Sequence, residues 1–165
     1  LTAAATDGGR RWLTRGRVVT HHAGVGPSSL PVLRHRALLV VESDPNVRLF
    51  LERALRQTEA IVVAAEDAEA ALNILTLVRP DLILMDLVLP GLSGLNLARR
   101  LRRDQRWRGV KLVALTRLCG PILAETMWAA GIDARVDTPM TVRELGAVLR
   151  RLLTEEERPP PWRQT

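Results

Sequence analysis

Acidic and hydroxyl side chains stand at the ends of four short apolar runs. ALLVV (37–41) leads into Glu42-Ser43-Asp44, DLILM (81–85) into Asp86, VKLVAL (110–115) into Thr116, and IDARV (132–136) into Asp137-Thr138-Pro139. Hard oxygen ligands of this kind suit Mg²⁺, which is usually held by one or two carboxylates plus waters and phosphate. A carboxylate beside such a cation can attack phosphorus and form an aspartyl-phosphate. The chain has no GxxxxGK[ST] loop, so nucleotide hydrolysis is not expected and an enzyme is not the first reading.

Those side chains converge only if the apolar runs lie side by side. Each run has the length and composition of a buried parallel strand, and AIVVAA (60–65) adds another. Between them the period changes to that of helices. Asp44-Pro45 supplies a cap and a proline at the first helical position. Val47, Phe50, Leu51, Ala54 and Leu55 then fall on one helical face. Ala68, Ala71, Leu72 and Leu75 mark a second helix, expected to stop near Arg79-Pro80. LPGLSG (89–94) leads into a third helix through about Asp104, and Gly120-Pro121 opens a fourth that Gly131 ends. Thr141-Val142-Arg143-Glu144 is a capping box for a last helix, with Leu145, Val148, Leu149, Leu152 and Leu153 on one face. This five-fold βα alternation predicts an α/β fold, a doubly wound parallel sheet with helices on both faces. Ligands of such sheets bind outside the carboxyl ends of the strands, where the oxygen-bearing residues fall.

Composition narrows the function classes. The 165 residues fit one domain with tails. Four Trp, one Phe and no Tyr leave few stacking platforms for nucleic acid. One cysteine excludes a disulfide framework and a cysteine-rich zinc site. The chain lacks both a long apolar span and an apolar leader core, so a cytoplasmic protein is expected. The formal charge of +6 is uneven: residues 1–36 hold 6 Arg against 1 Asp, whereas residues 37–157 hold 16 basic against 17 acidic residues. A phosphate-gripping core would instead be basic throughout. Residues 1–35, dotted with Gly, Pro, Ser and Arg, read as a basic disordered segment, with a short helix near Arg11–Val19 left open. Residues 36–154 read as the domain and 155–165 as a proline-rich tail. Cys119 reads as a small hydrophobe, and His21, His22 and His35 as unsuited to a metal site. Arg99, Arg100, Arg102, Arg103, Arg106 and Arg108 read first as a solvated basic face, with docking of an acidic partner as the sharper alternative.

Four segments in order resemble the receiver domains of two-component response regulators. LLVVESDPNVR is similar to the family's first strand with its acidic pair, and PDLILMDLVLPGLSG to the segment carrying the phosphoacceptor Asp. KLVALT ends in the family's hydroxyl residue, and GIDARVDTPM resembles the segment that carries a Lys before a Pro. The resemblance implies a flavodoxin-like (βα)5 sheet of order 2-1-3-4-5. It also implies that Asp86 is the phosphoacceptor, that Thr116 contacts the phosphoryl group, and that Glu42, Asp86 and the Val88 carbonyl hold Mg²⁺. The implied partners are a sensor histidine kinase or phosphotransfer protein and an output protein, with a homodimer left open.

The departures from the family pattern bear on chemistry. Glu42 stands where the first Asp is usual and Ser43 where the second is, so Mg²⁺ binding is expected to be weak. Thr138 stands at the Lys position and Arg135 where an aromatic residue is common. Losing one fixed charge from a phosphoryl-transfer site typically costs ~10²–10³ in rate. Arg117 either replaces that cation or obstructs the site. Asp44 reads as a helix cap rather than a ligand. In the family, the positions two after the phosphoacceptor and two after the Thr help orient hydrolytic water, and here they are Val88 and Leu118. Twelve residues follow Leu153, so no DNA-binding domain is expected. Three readings compete: a phosphorylated receiver, a phosphorylation-independent pseudo-receiver that binds protein, and a carrier for a basic segment that binds nucleic acid or anionic lipid.

Overall fold

The computed structural model describes residues 12–14, 17–19, 33–118 and 120–154. Near the N-terminus, β1 (Trp12–Thr14) and β2 (Arg17–Val19) form an antiparallel pair with Trp12 opposite Val19. β-branched Val18 and Val19 suit a strand, and the rest of the segment read as basic and disordered, up to residue 32, lies outside the described residues. The rest alternates: β3 (Ala37–Val41), α1 (Pro45–Arg56), β4 (Ile61–Ala65), α2 (Ala68–Ile74), β5 (Leu82–Asp86), α3 (Gly94–Arg103), β6 (Lys111–Thr116), α4 (Pro121–Ala129), β7 (Ala134–Asp137) and α5 (Val142–Thr154).

All neighbouring strands of the large sheet are parallel, in the order β4-β3-β5-β6-β7. Counted from β3, that is the expected 2-1-3-4-5. The chain winds one way from β3 to β4 and the other way from β5 onward, so the switch point lies between β3 and β5.

Period-two alternation divides the core between the two faces of the sheet. Leu38, Val40, Leu82, Leu84, Val113 and Leu115 pack with Leu51 and Leu55 of α1 and Leu145 and Leu149 of α5. Leu39, Val41, Ile83, Met85, Leu112 and Ala114 pack on the opposite face with Ala68 and Ala71 of α2, Leu97 and Leu101 of α3 and Met127 of α4. The central strands are apolar at every inner position because both faces are covered. Leu33 is fully buried in the α1/α5 layer, so packing begins before residue 36.

Local signals placed most helix ends. Asp44 Oδ1 accepts from the Asn46 and Val47 amides at 2.8 and 3.3 Å, which makes it the cap of α1. Thr141 and Glu144 exchange the two bonds of a capping box at 2.7 and 3.2 Å. α2 ends sooner than expected, at Ile74, and Thr76 Oγ1 turns back to the Asn73 carbonyl at 2.7 Å. Two acidic residues expected within strands lie just before them. Asp81 Oδ2 accepts from the Ala37 amide and Asp133 Oδ2 from the Leu112 amide, each at 2.8 Å. These carboxylates stitch the amino-terminal ends of adjacent strands instead of extending their own.

The basic face expected on α3 is interrupted. Arg102 turns inward, with its side chain 9% exposed, and bonds Asp133 and the carbonyls of Gly131, Trp107 and Val110. Arg99, Arg100, Arg103, Arg106 and Arg108 remain exposed. Among the described residues, no helix is long and apolar enough to cross a membrane.

Candidate functional site

Strand register brings the oxygen-bearing residues level with one another. Val41 pairs with Met85, so the next residues along these strands, Glu42 and Asp86, emerge side by side at the switch point. Asp86 pairs with Leu115, which places Thr116 one step further along β6, and Thr116 pairs with Asp137 on β7. Parallel strands lie about 4.8 Å apart. Glu42, Asp86 and Thr116 therefore collect at the carboxyl edge of the sheet.

Glu42 is 5% exposed, and its Oε1 accepts from the Asp44 amide at 2.9 Å. Burial raises its pKa above the ordinary value and the charges of Asp86 and Asp44 add to the rise, while the Asp44 amide partly offsets them. Arg48 Nη1 donates to the Glu42 carbonyl at 2.6 Å and the Ser43 carbonyl at 3.2 Å, which holds the loop without touching its carboxylates. The side chain of Ser43 is exposed.

Asp86 ends β5, and its Oδ1 accepts from the Val88 amide at 3.0 Å, a tight turn that holds the carboxylate at the sheet edge. Gly94 explains itself here. A Cβ at that position would overlap the Asp86 carbonyl oxygen, while the Gly94 amide donates to the Leu87 carbonyl at 3.1 Å. The turn can close against β5 only without a side chain.

Thr116 is 2% exposed, and its Oγ1 accepts from the Leu118 amide at 3.0 Å. That bond uses the oxygen as acceptor and leaves the hydroxyl hydrogen to donate elsewhere. The Thr116 carbonyl accepts from the Thr138 amide at 3.0 Å, and the Thr138-Pro139 bond is cis. Thr138 thus lies beside Thr116 but brings no charge.

Neither Arg135 nor Arg117 pairs with Asp86. The Arg135 side chain is 5% exposed, pairs with Asp137 at 2.7 Å and donates to the Leu118 carbonyl at 3.1 Å. Arg117 is exposed and bonds none of the described residues. Asp86 has no ion-pair partner among the described residues. Val88 and Leu118, each two residues beyond a site residue, are 64% and 52% exposed, so apolar side chains follow both Asp86 and Thr116. Cys119, His21 and His22 lie outside the described residues.

The donor set fits a hard divalent cation. Two carboxylates, Glu42 and Asp86, repel each other at one edge, and a cation between such groups would relieve the repulsion. Among the described residues there is no cluster of three or more acidic, His or Cys ligands, so water would complete the shell.

Sequence reasoning missed Arg48 and the Arg135–Asp137 pair. The pair carries a signal, because residues two apart on a strand share a face. Arg48 carries only its place one helical turn after Asp44, which marks a neighbour but not the carbonyls that it binds.

Residues 38–150 match the profile of the response regulator receiver domain. The chain is 34% identical over 131 residues to the DNA-binding response regulator MtrA of Mycolicibacterium smegmatis, covering 79% of this chain and 56% of that protein. The chain therefore spans about half the length of the curated relatives that it matches. A receiver domain of a signal transduction histidine kinase from Syntrophus aciditrophicus superposes with a TM-score of 0.68 at 28% identity, covering 74% of this chain and 93% of that one. The receiver domain of a sensor histidine kinase from Pseudomonas aeruginosa, with a magnesium ion coordinated in its active-site cleft, gives 0.67 at 29% identity, covering 73% and 98%. Sheet order, strand-end chemistry and sequence similarity converge: the chain belongs to the response regulator receiver domain family, the signalling modules of two-component systems.

Proposed function

We propose that Asp86 accepts a phosphoryl group from the phosphohistidine of a sensor kinase or phosphotransfer protein, and that the domain signals the change through protein contacts. The observation that carries this reading is the strand register, which sets Asp86 between buried Glu42 and buried Thr116 at the switch point. In the transfer, an Asp86 carboxylate oxygen forms a bond to phosphorus as the donor's N–P bond breaks, and the imidazole leaves with the bonding electron pair. Glu42, Asp86 and the Val88 carbonyl would hold Mg²⁺. When bound, the cation neutralises charge on the phosphoryl oxygens. Thr116 donates its hydroxyl hydrogen to a phosphoryl oxygen. Thr138 offers no cation, so transfer is slower than in a receiver with Lys there, by about 10²–10³. Val88 and Leu118 cannot orient water through their side chains, so the adduct, once formed, is lost slowly.

A phosphorylation-independent reading draws on one observation: Arg135 pairs with Asp137 and bonds Leu118, and Thr138 is uncharged, so Asp86 has no ion-pair partner among the described residues. Incubating the protein with Mg²⁺ and a small-molecule phosphodonor separates the two readings. The mass gain of one phosphoryl group, lost in Asp86→Asn, is expected. An unmodified protein after exposure both to that donor and to phosphorylated kinases would establish the pseudo-receiver instead.

A further inference from the structure

A second polar site lies at the other end of the sheet. Between the starts of β3, β5 and β6 is a cavity of about 270 Å³, lined by Arg36, Arg79, Asp81, Gly109, Lys111 and Leu153 among others. β6 runs from Lys111 to Thr116, so this cavity is about 17 Å from the phosphoacceptor edge at about 3.3 Å per residue. It shares no residue with the site at Asp86.

Three cations from separate chain segments meet there, and Asp81, the one carboxylate among the described lining residues, is already engaged. Asp81 Oδ1 accepts from Arg36 Nη1 at 3.2 Å and Oδ2 from the Ala37 amide at 2.8 Å. Arg79 is anchored by one nitrogen, Nη2, to the Arg106 carbonyl at 3.1 Å, an uncharged partner. Lys111 is the only lysine of the chain, and among the described residues its ammonium has neither an ion pair nor a hydrogen bond. Arg108 adds exposed positive charge beside Gly109. Asp81 pairs with Arg36, and among the described residues Arg79 and Lys111 have no opposing charge in this concave place.

We propose that this cavity binds a small anion bearing two or more phosphate charges, with Arg79 and Lys111 as its principal contacts. Arg offers a planar fork of donors that matches phosphate oxygens, and Lys a compact charge with three donors. The concavity gives the anion contacts from several sides, which a flat basic surface does not. The site is independent of phosphorylation at Asp86, because it rests on different residues at the opposite pole.

Inorganic pyrophosphate is the probe, titrated into the full chain at constant ionic strength. Saturable shifts are expected in the amide NMR signals of Gly109, Val110 and Lys111, with those of Glu42 and Asp86 unmoved. Pyrophosphate should also slow acylation of Lys111, read by peptide mass spectrometry, while the rate at the N-terminal amine stays constant. Lys111→Gln and Arg79→Gln should each weaken binding about tenfold, as expected for loss of one charged hydrogen bond. Non-saturable shifts, or equal affinity in both variants, would overturn the proposal. The acidic run Glu155-Glu156-Glu157 directly follows α5, so a Gln replacement of all three is the remaining arm. Affinity within about twofold of the parent supports an external anion. Binding that occurs only after that replacement overturns the proposal and makes the chain's own acidic run the occupant.

Discussion

Replacing Arg102 by Met removes a buried charged group that bonds four acceptors. The guanidinium reaches Asp133 Oδ2 at 2.8 Å and the carbonyls of Gly131, Trp107 and Val110 at 2.9 Å each. The two charged side chains are 9% and 4% exposed, so solvent screens the pair little. Breaking a buried pair from one side costs about 3–5 kcal/mol, mainly because the remaining charge stays buried. Asp133 Oδ2 keeps the Leu112 amide, which limits that penalty, while three carbonyls lose their charged donor. The net expectation remains about 3–5 kcal/mol, a large share of the 5–15 kcal/mol of an ordinary domain. Urea unfolding followed by circular dichroism measures it, with Asp133→Asn and the double variant completing a cycle. The single losses should exceed additivity, with a coupling of about 1–3 kcal/mol. The bonds lie at the amino-terminal ends of β6 and β7, so the phosphorylation rate of the folded fraction should change less than twofold. A loss below about 1 kcal/mol for Arg102→Met, or a coupling near zero, would refute the reasoning.

Other expectations follow from the site. Thr138→Lys should speed phosphorylation of Asp86 by about 10²–10³, read as phosphoprotein formed per unit time from a small-molecule donor. Val88→Asn and Leu118→Glu should shorten the lifetime of the adduct after donor removal, and native decay within seconds would contradict the assignment of these two positions. Glu42 has a raised pKa in the fold, so its ionisation opposes folding; its contribution is fully present at pH below 4.5 and falls as pH rises through the folded value. Without metal, Glu42→Gln should therefore be more stable than the parent at pH 7, with a smaller difference at pH 4, as thermal unfolding at the two pH values would show. Gly94→Ala should destabilise the protein by about 1–3 kcal/mol in urea and lower the yield of phosphorylated Asp86, because its Cβ would displace the Asp86 carbonyl.

The order and type of the five βα units were legible because their causes are local. Apolar runs, the Asp44-Pro45 cap and the Thr141–Glu144 box each act within a few residues. Once the strands are parallel and placed in order, Glu42, Asp86 and Thr116 must share an edge, so this part of the site was legible too. Local pattern left other things open. Asp81 and Asp133 could equally begin their own strands or bind a neighbour, and only the neighbour's amide decides which. Arg102 has the same spacing as its exposed neighbours on α3, yet its partners Gly131 and Asp133 lie 29 and 31 residues away and draw it inward. Arg135 is held by a carbonyl 17 residues away, an acceptor that every residue possesses and no sequence marks. Periodicity and capping thus determined the architecture and the edge where chemistry can occur. Tertiary packing decided where the arginines went, because a charge leaving water settles on whichever acceptors the folded backbone brings within reach.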